Sequence, residues 1–321
     1  MSQAALAALG RDPTALVAVD WGSSSFRAAR LDGDGKVLEE RALPRGILTV
    51  PEGGFATVFE SGCGDWIRAT GVICLISGMA GSKQGWVEAP YCPCPAGFDE
   101  VAAQVKWIKW PAPGLELWRV GIVPGLCCEL AHAPDVMRGE EVQIFGAMQL
   151  TGLRDGLFVL PGTHSKWATV ERGRVTGFRT CMTGEIYALL SRHSILAKTI
   201  DADAPLVEAA FAQGVALAQS GLGLLHTAFS ARTLSLFSRM DAAALASYLS
   251  GLVIGEELRL QTPDAGTEVA LIGASALTMR YALALKLQGV KARSLGSEAA
   301  WAGLHAISKE IDVFPSWDID S

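Results

Sequence analysis

At 321 residues, half of them hydrophobic and about a fifth charged, the chain is long enough for two domains of about 150 residues and too apolar to be disordered. A net charge of -6 with no basic block argues against a nucleic-acid partner. Met1–Arg11 has only the short apolar patch Ala4–Leu9 and no basic flank, and no apolar run reaches membrane-spanning length, so neither a signal peptide nor a membrane partner is expected. The seven cysteines, Cys63, Cys74, Cys92, Cys94, Cys127, Cys128 and Cys181, are odd in number and follow no framework spacing, which fits free thiols in a reducing cytoplasm. Cys92–Cys94 and Cys127–Cys128 are spaced too tightly for the halves of a structural zinc site and read as small buried hydrophobes.

In chain order, the first pattern is Leu16–Arg27 (LVAVDWGSSSFR), then Ala28–Leu31, a turn at Asp32–Gly35 and Lys36–Leu38. This reads as strand, tight Gly/Ser turn, strand, Gly turn, strand. A helix is predicted over Phe55–Ala69, a buried strand over Gly71–Ile76, a strand over Leu117–Val123 ending at Pro124-Gly125, and a helix over Glu140–Leu150. A polar joint at Thr151–Gly156 divides the chain into expected domains 1–152 and 153–321. The opening pattern then recurs as Leu157–Trp167 (LFVLPGTHSKW), Ala168–Val170, a turn at Glu171–Gly173 and Arg174–Thr176. Gly22 pairs with Gly162, Ser23 with Thr163, Ser25 with Ser165 and Gly33 with Gly173, so two related α/β halves are expected. Helical runs follow at Gly184–Ser191, Pro205–Leu225 and Ala242–Leu260. Glu268–Ile272 is then a strand, Gly273 a turn, Ser275–Leu287 a helix, Ala292–Leu295 a strand and Ser297–Ile307 a helix.

The two repeated turns carry the parts of phosphoryl transfer, a reaction catalysed mostly by positioning and charge stabilisation. Gly22 and Gly162 let backbone N–H groups converge on a phosphate, while Ser23, Ser24, Ser25, Thr163 and Ser165 add hydroxyl donors. Asp20 closes the first strand as a carboxylate suited to a water-bearing Mg²⁺. Lys166 adds a cation to the second turn, and His164 lies within it. An ordinary hairpin turn recruits the same residue types, but two such turns in one repeated frame favour the phosphate reading. Gly273, Ala274 and Ser275 end a buried strand as a small-residue turn that admits a close nucleoside, although close strand–helix packing also uses such residues. Neither the P-loop nor the dinucleotide fingerprint occurs, which disfavours a dehydrogenase.

The ordered set resembles the two phosphate motifs and the adenosine motif of the actin/hexokinase/Hsp70 ATPase superfamily. Longer strings are similar to the 2-dehydro-3-deoxygalactonokinase family: Val19–Arg27 (VDWGSSSFR), Ser77–Trp86 (SGMAGSKQGW), Arg138–Gly146 (RGEEVQIFG), Leu160–Trp167 (LPGTHSKW) and Phe178–Glu185 (FRTCMTGE). The resemblance implies two ribonuclease-H-like α/β domains with an interdomain ATP cleft, into which both turns would face. It also implies transfer of the ATP γ-phosphate to the 6-hydroxyl of 2-dehydro-3-deoxy-D-galactonate, with ATP and Mg²⁺ as cofactors and Asp20 and Arg27 at the nucleotide end.

Such a keto acid needs a cation or several N–H donors for its carboxylate. Ser77, Gly78, Met79, Ala80, Gly81, Lys83 and Trp86 follow a buried strand, where α/β folds place ligands, and are the candidate acid site together with Arg138. Lys83 as a solvated lysine and Trp86 as a packing residue are the plainer readings. Glu140 and Glu141, at a predicted helix start, are candidate bases, with Asp135 as second choice, although helix starts favour acidic residues for dipole reasons alone. Glu185 either helps to hold nucleotide or metal or simply begins a helix. Alternatives are an amino-sugar or pantothenate kinase of the same fold and a non-catalytic ATP-binding regulator. A homodimer is one assembly the sequence allows.

Overall fold

The computed structural model describes residues 12–70, 72–108, 119–261 and 268–311. The segment Met1–Arg11, read above for its lack of targeting signals, lies outside them, as do Gly71 and the first two residues of the strand expected at Leu117–Val123.

The first half opens with β1 (Leu16–Trp21), β2 (Phe26–Leu31) and β3 (Val37–Leu43), an antiparallel meander. β1 is buried along nearly its whole length, as a central strand covered on both faces must be. The helix expected over Phe55–Ala69 is α1 (Phe55–Phe59) and α2 (Asp65–Thr70), joined by one π-helical turn at Glu60–Gly64. A Cβ at Gly62, in that turn, would stand 2.5 Å from the Phe26 ring, so only glycine lets the helix lie on the sheet there. β4 (Ile73–Ser77) pairs parallel with β1, aligning Asp20 with Ser77. After it come β5 (Tyr91–Pro93), α3 (Phe98–Ala102), β6 (Lys106–Trp107), β7 (Val120–Ile122), β8 (Gly125–Glu129), β9 (Pro134–Met137) and α4 (Glu140–Thr151). The main sheet has the order β3-β2-β1-β4-β7-β6, and β5, β8 and β9 form a separate small sheet.

The second half repeats the plan. β10 (Gly156–Leu160), β11 (Ser165–Glu171) and β12 (Arg174–Cys181) are followed by α5 (Thr183–His193), α6 (Glu208–Ala218), α7 (Leu224–Thr227), α8 (Ser230–Leu236) and α9 (Ala242–Gln261). β13 (Glu268–Ile272), α10 (Ser275–Leu287), β14 (Lys291–Leu295) and α11 (Glu298–Lys309) complete the elements of the described residues. The second sheet runs β12-β11-β10-β13-β14, with β13 parallel to both β10 and β14. The sequence repeat is therefore a repeat of strand order: a meander of three, then strands added beside its first member.

Contacts divide the chain into two units. The first comprises residues 1–155, the hairpin tip Val170–Gly177 and the segment from Ser297; the second comprises Gly156–Thr169 and Phe178–Gly296. Within the first unit α11 packs on α4 at very close range. Cβ atoms at Gly146 and Gly303 would stand 1.7 Å from Ala299 O and 1.9 Å from Val142 O. The first core gathers Val17, Val19, Trp21, Phe26, Phe59 and Ile76; the second gathers Val159, Trp167, Phe211, Leu271 and Tyr281. Among the described residues no helix is long and apolar enough to cross a membrane.

Candidate active site

In the first unit the turn after β1 is closed by Gly22 N donating to Ser25 O at 2.9 Å. The segment Gly46–Leu48 lies along it, with Ile47 N on Gly22 O and Leu48 N on Ser23 O. Gly46 permits this approach, because a Cβ there would meet Ser23 and Ser24 backbone at 2.3 Å. Ser23, Ser24 and Ser25 are exposed, as phosphate donors need to be. Asp20 and Arg27 face each other across β1 and β2 and form an ion pair, and the Arg27 guanidinium lies 5.4 Å from the Trp301 ring centroid.

Three strand ends converge beside Asp20. Gly78 has φ +94°, and a Cβ there would stand 2.9 Å from Trp21 O and 3.5 Å from Asp20 Oδ1. Gly139, at φ +102°, comes equally close to Gly78, its own Cβ position being 3.2 Å from Gly78 Cα. Both glycines are required by conformation and by space. Next to Gly139 is Glu141, fully buried, its two carboxyl oxygens receiving Gly139 N at 2.9 and 2.7 Å. Burial, and then the charge of Glu140, push its pKa up to about 8. Glu140 instead accepts from Arg138 N at 2.9 Å.

Arg138 is almost fully buried. Its Nη2 donates to Ala89 O at 2.8 Å and its guanidinium covers the Tyr91 ring at 4.3 Å, while Nε and Nη1 are buried without a hydrogen-bond partner among the described residues. A cation left with unused donors is costly unless an anion supplies the missing acceptors. In the rest of the loop Ser77, Gly78, Ala80 and Gly81 are buried backbone formers, Met79 is half-buried and Lys83 is exposed. Trp86 packs on Trp21 and Phe59 and also lines a cavity of about 420 Å³ with Lys83, Gln84, Ile47, Val50 and Glu52. Asp135 lies within β9, opposite Cys128, and accepts from Val136 N.

In the second unit the turn after β10 lies beside the turn after β13, since the two strands are parallel neighbours. Gly273, at φ +145°, would bring a Cβ within 3.6 Å of Pro161 O. Gly162 and Thr163 are held against the start of α5: Glu185 N donates to Thr163 O at 3.0 Å, and a Cβ at Gly184 would stand 2.4 Å from Gly162 O. Thr163 and His164 are exposed, and His164 Nε2 meets Glu185 Oε2 at 2.5 Å. Ala274 and Ser275 are exposed at the start of α10.

Two members of the second turn face away from its mouth. Ser165 is fully buried, its hydroxyl donating to Glu257 at 2.9 Å, so the structure corrects the expectation that it offers this donor to phosphate. Lys166 is also buried, its Nζ donating to Thr180 Oγ1 at 2.8 Å across the hairpin. The cause is alternation at the head of β11: once Thr163 and His164 occupy the turn, the next residues point into the sheet's two covered faces.

A mostly apolar cavity of about 140 Å³ adjoins this turn, lined by Gly162, Thr183, Gly184, Leu277, Arg280 and Tyr281 among others. Arg280 Nη1 donates to Ser250 Oγ at its wall. Arg280, Tyr281 and Glu257 belong to none of the motifs read from the sequence, and Thr183 stands there only as part of Phe178–Glu185. Glu257 had a faint signal, as one of two adjacent acids, with Glu256, in the largely apolar stretch Leu249–Leu258, but nothing local says what it meets. Among the described residues no group of three or more His, Cys, Asp or Glu forms a metal-holding cluster, and burial pushes the Cys94 thiol up to about 12.

Two α/β units of like strand order, each with a glycine–hydroxyl turn at the end of its first strand, define an actin/hexokinase-like fold. Residues 20–307 match the family described as 2-keto-3-deoxy-galactonokinase, and the chain belongs to that family. It is 37% identical over 300 residues to a protein of Rhizobium meliloti (strain 1021) named as a 2-dehydro-3-deoxygalactonokinase, covering 92% of this chain and 96% of that one. It is 30% identical over 298 residues to the 2-dehydro-3-deoxygalactonokinase of Escherichia coli (strain K12), covering 92% and 98%. A crystal structure of such a kinase from Sinorhizobium meliloti superposes with a TM-score of 0.84 at 36% identity, over 93% of this chain and 100% of that one. The chain is thus an ATP-dependent sugar-acid kinase, and the amino-sugar, pantothenate and regulatory alternatives are set aside.

Proposed function

We propose that the chain transfers the γ-phosphate of ATP to the 6-hydroxyl of 2-dehydro-3-deoxy-D-galactonate, with Glu141 as general base. The observation that carries this reading is the pairing of a buried, high-pKa carboxyl with a buried guanidinium that has unused donors, one turn of backbone apart. Glu141 takes the proton of the acceptor hydroxyl as its oxygen attacks the γ-phosphorus; the bond from phosphorus to the bridging oxygen breaks, and ADP leaves. Arg138 Nε and Nη1 supply the donors that a substrate carboxylate requires, and this favours an acid over a neutral sugar. Lys83 and Trp86 line the cavity that would admit the acid's carbon chain. The exposed hydroxyls of Ser23, Ser24 and Ser25 and the turn Gly162–His164 would receive phosphates. The cavity beside α10 would receive the nucleoside.

The donor set also suits Mg²⁺: the Asp20 carboxylate, partly exposed and paired with Arg27, ends the strand that leads into the exposed Ser23, Ser24 and Ser25, and these are hard oxygen ligands. A bound Mg²⁺ would neutralise charge on the phosphates. A cytoplasmic setting is part of the reading, and all seven cysteines are free thiols, as that compartment requires.

The test is ADP release by purified protein with ATP and 2-dehydro-3-deoxy-D-galactonate, with ³¹P NMR to find the phosphorylated position. Acceptor-dependent ADP and a 6-phosphate ester are expected. ADP release unaffected by this acid but stimulated by a neutral sugar would overturn the reading.

A further inference from the structure

Glu257 sits on α9, deep in the second unit, and is only 3% exposed. Its Oε1 accepts from Trp167 Nε1 at 2.5 Å, and its Oε2 accepts from Ser165 Oγ at 2.9 Å and Tyr281 OH at 2.7 Å. The Tyr281 phenol also neighbours Ser165 and Thr183, and its own pKa is raised by burial and then by Glu257. One carboxylate thereby joins β11, which begins right after the second turn, to α10, which begins right after Ala274. Through Tyr281 it also reaches the head of α5. The heads of α5 and α10, α9 itself and Gly162 of the second turn wall the cavity of about 140 Å³; Tyr281 and Thr183 are among its lining residues, while Glu257 and β11 are not.

A fully satisfied buried network of this kind fixes the relative placement of the pieces it ties. A buried charge is an expensive way to hold a core together, and an apolar residue of similar volume often does so equally well. We infer that Glu257 is a positioning residue for nucleotide binding: it sets the second turn and the head of α10 at the separation a nucleoside phosphate needs, without touching the ligand. This rests on the reading of Gly162–His164 as a phosphate turn.

The experiment measures KM for ATP, KM for the sugar acid, kcat and Tm in Glu257→Leu, Glu257→Gln, Tyr281→Phe and Thr163→Val. Glu257→Leu should raise KM for ATP about tenfold, the scale of losing a charged hydrogen-bonded contact, and leave KM for the acid within about twofold. Glu257→Gln, whose amide oxygen can still receive Trp167 Nε1, should lie between Leu and wild type. Tyr281→Phe should raise KM for ATP about threefold by removing one donor, with no further effect when added to Glu257→Leu. If Glu257→Leu does not fold, Tyr281→Phe and Glu257→Gln carry the test. Equal movement of both KM values, or a lower Tm with KM for ATP unchanged, would overturn the inference. Thr163→Val separates the two readings. If it raises KM for ATP while the Glu257 and Tyr281 variants do not, the positioning role fails and the phosphate turn stands. If none of the variants moves KM for ATP, both fail.

Discussion

Each unit buries a glutamate near its glycine–hydroxyl turn, and the two are treated in opposite ways. Glu257 receives three side-chain donors from two other elements and is locked. Glu141 receives backbone N–H groups from its own stretch, those of Gly139 and of Glu141 itself, and burial lifts its pKa to about 8. Burial alone therefore does not make a carboxyl reactive. On the proposed reading Glu257 is the structural acid, surrounded by side-chain donors, and Glu141 is the base, left able to take a substrate proton. The turns differ in the same sense: Ser25 is exposed in the first, and its counterpart Ser165 is spent inward in the second.

The largest break of this comparison is Glu141→Gln, which should lower kcat by about a thousandfold, within the range for general-base removal, with KM for ATP unchanged. The wild-type rate should fall tenfold per pH unit below about 8, as the carboxyl is protonated, and the mutant's residual rate should lack that limb. A Glu141→Gln enzyme that retains most of its kcat assigns the base elsewhere. Stability provides a second measure of the same carboxyl. Because its folded-state pKa lies above the ordinary 4.5, its contribution is fully present below pH 4.5 and is lost as pH rises to about 8. Denaturant titrations at pH 5 and pH 8.5 should show that loss, and Glu141→Gln should remove this part of it.

Asp20→Asn should lower turnover about a hundredfold, as expected for a charge acting on transferring phosphate, and raise the Mg²⁺ concentration needed for half activity while leaving the circular dichroism spectrum unchanged. Unaltered turnover removes Asp20 from the proposed metal site. Gly146→Ala tests whether the proposed base, Glu141, depends on the packing of its helix. A methyl group cannot fit 1.7 Å from Ala299 O, so about 1–3 kcal/mol of stability should be lost, read as a lower Tm together with lower activity. The smallest effect is expected for Lys83→Ala. Loss of one exposed cation should raise KM for the acid about three- to fivefold, since solvated charges are worth about 1 kcal/mol or less. No change in that KM would leave Arg138 as the carboxylate's cation.

What could be read from residues alone was whatever is local or periodic. The repeat, the buried first strands, the long helices over Ala242–Gln261 and Ser275–Leu287, and the glycine turns all follow from spacing and backbone allowance. The small sheet of β5, β8 and β9 was not legible, because its strands are short and carry no clear alternation. Nor was the end of the helix predicted over Pro205–Leu225: the structure breaks it after Ala218, with Gly221 and Gly223 both at positive φ. Contacts across long separations were hidden for a different reason. Ser165 meets Glu257 only because β11 and α9 pack together, and α11 joins the first unit only because Gly146 and Gly303 remove the side chains in its way. A glutamate's role depends on the donors that surround it after folding, and those come from elements that its own sequence neighbourhood does not name.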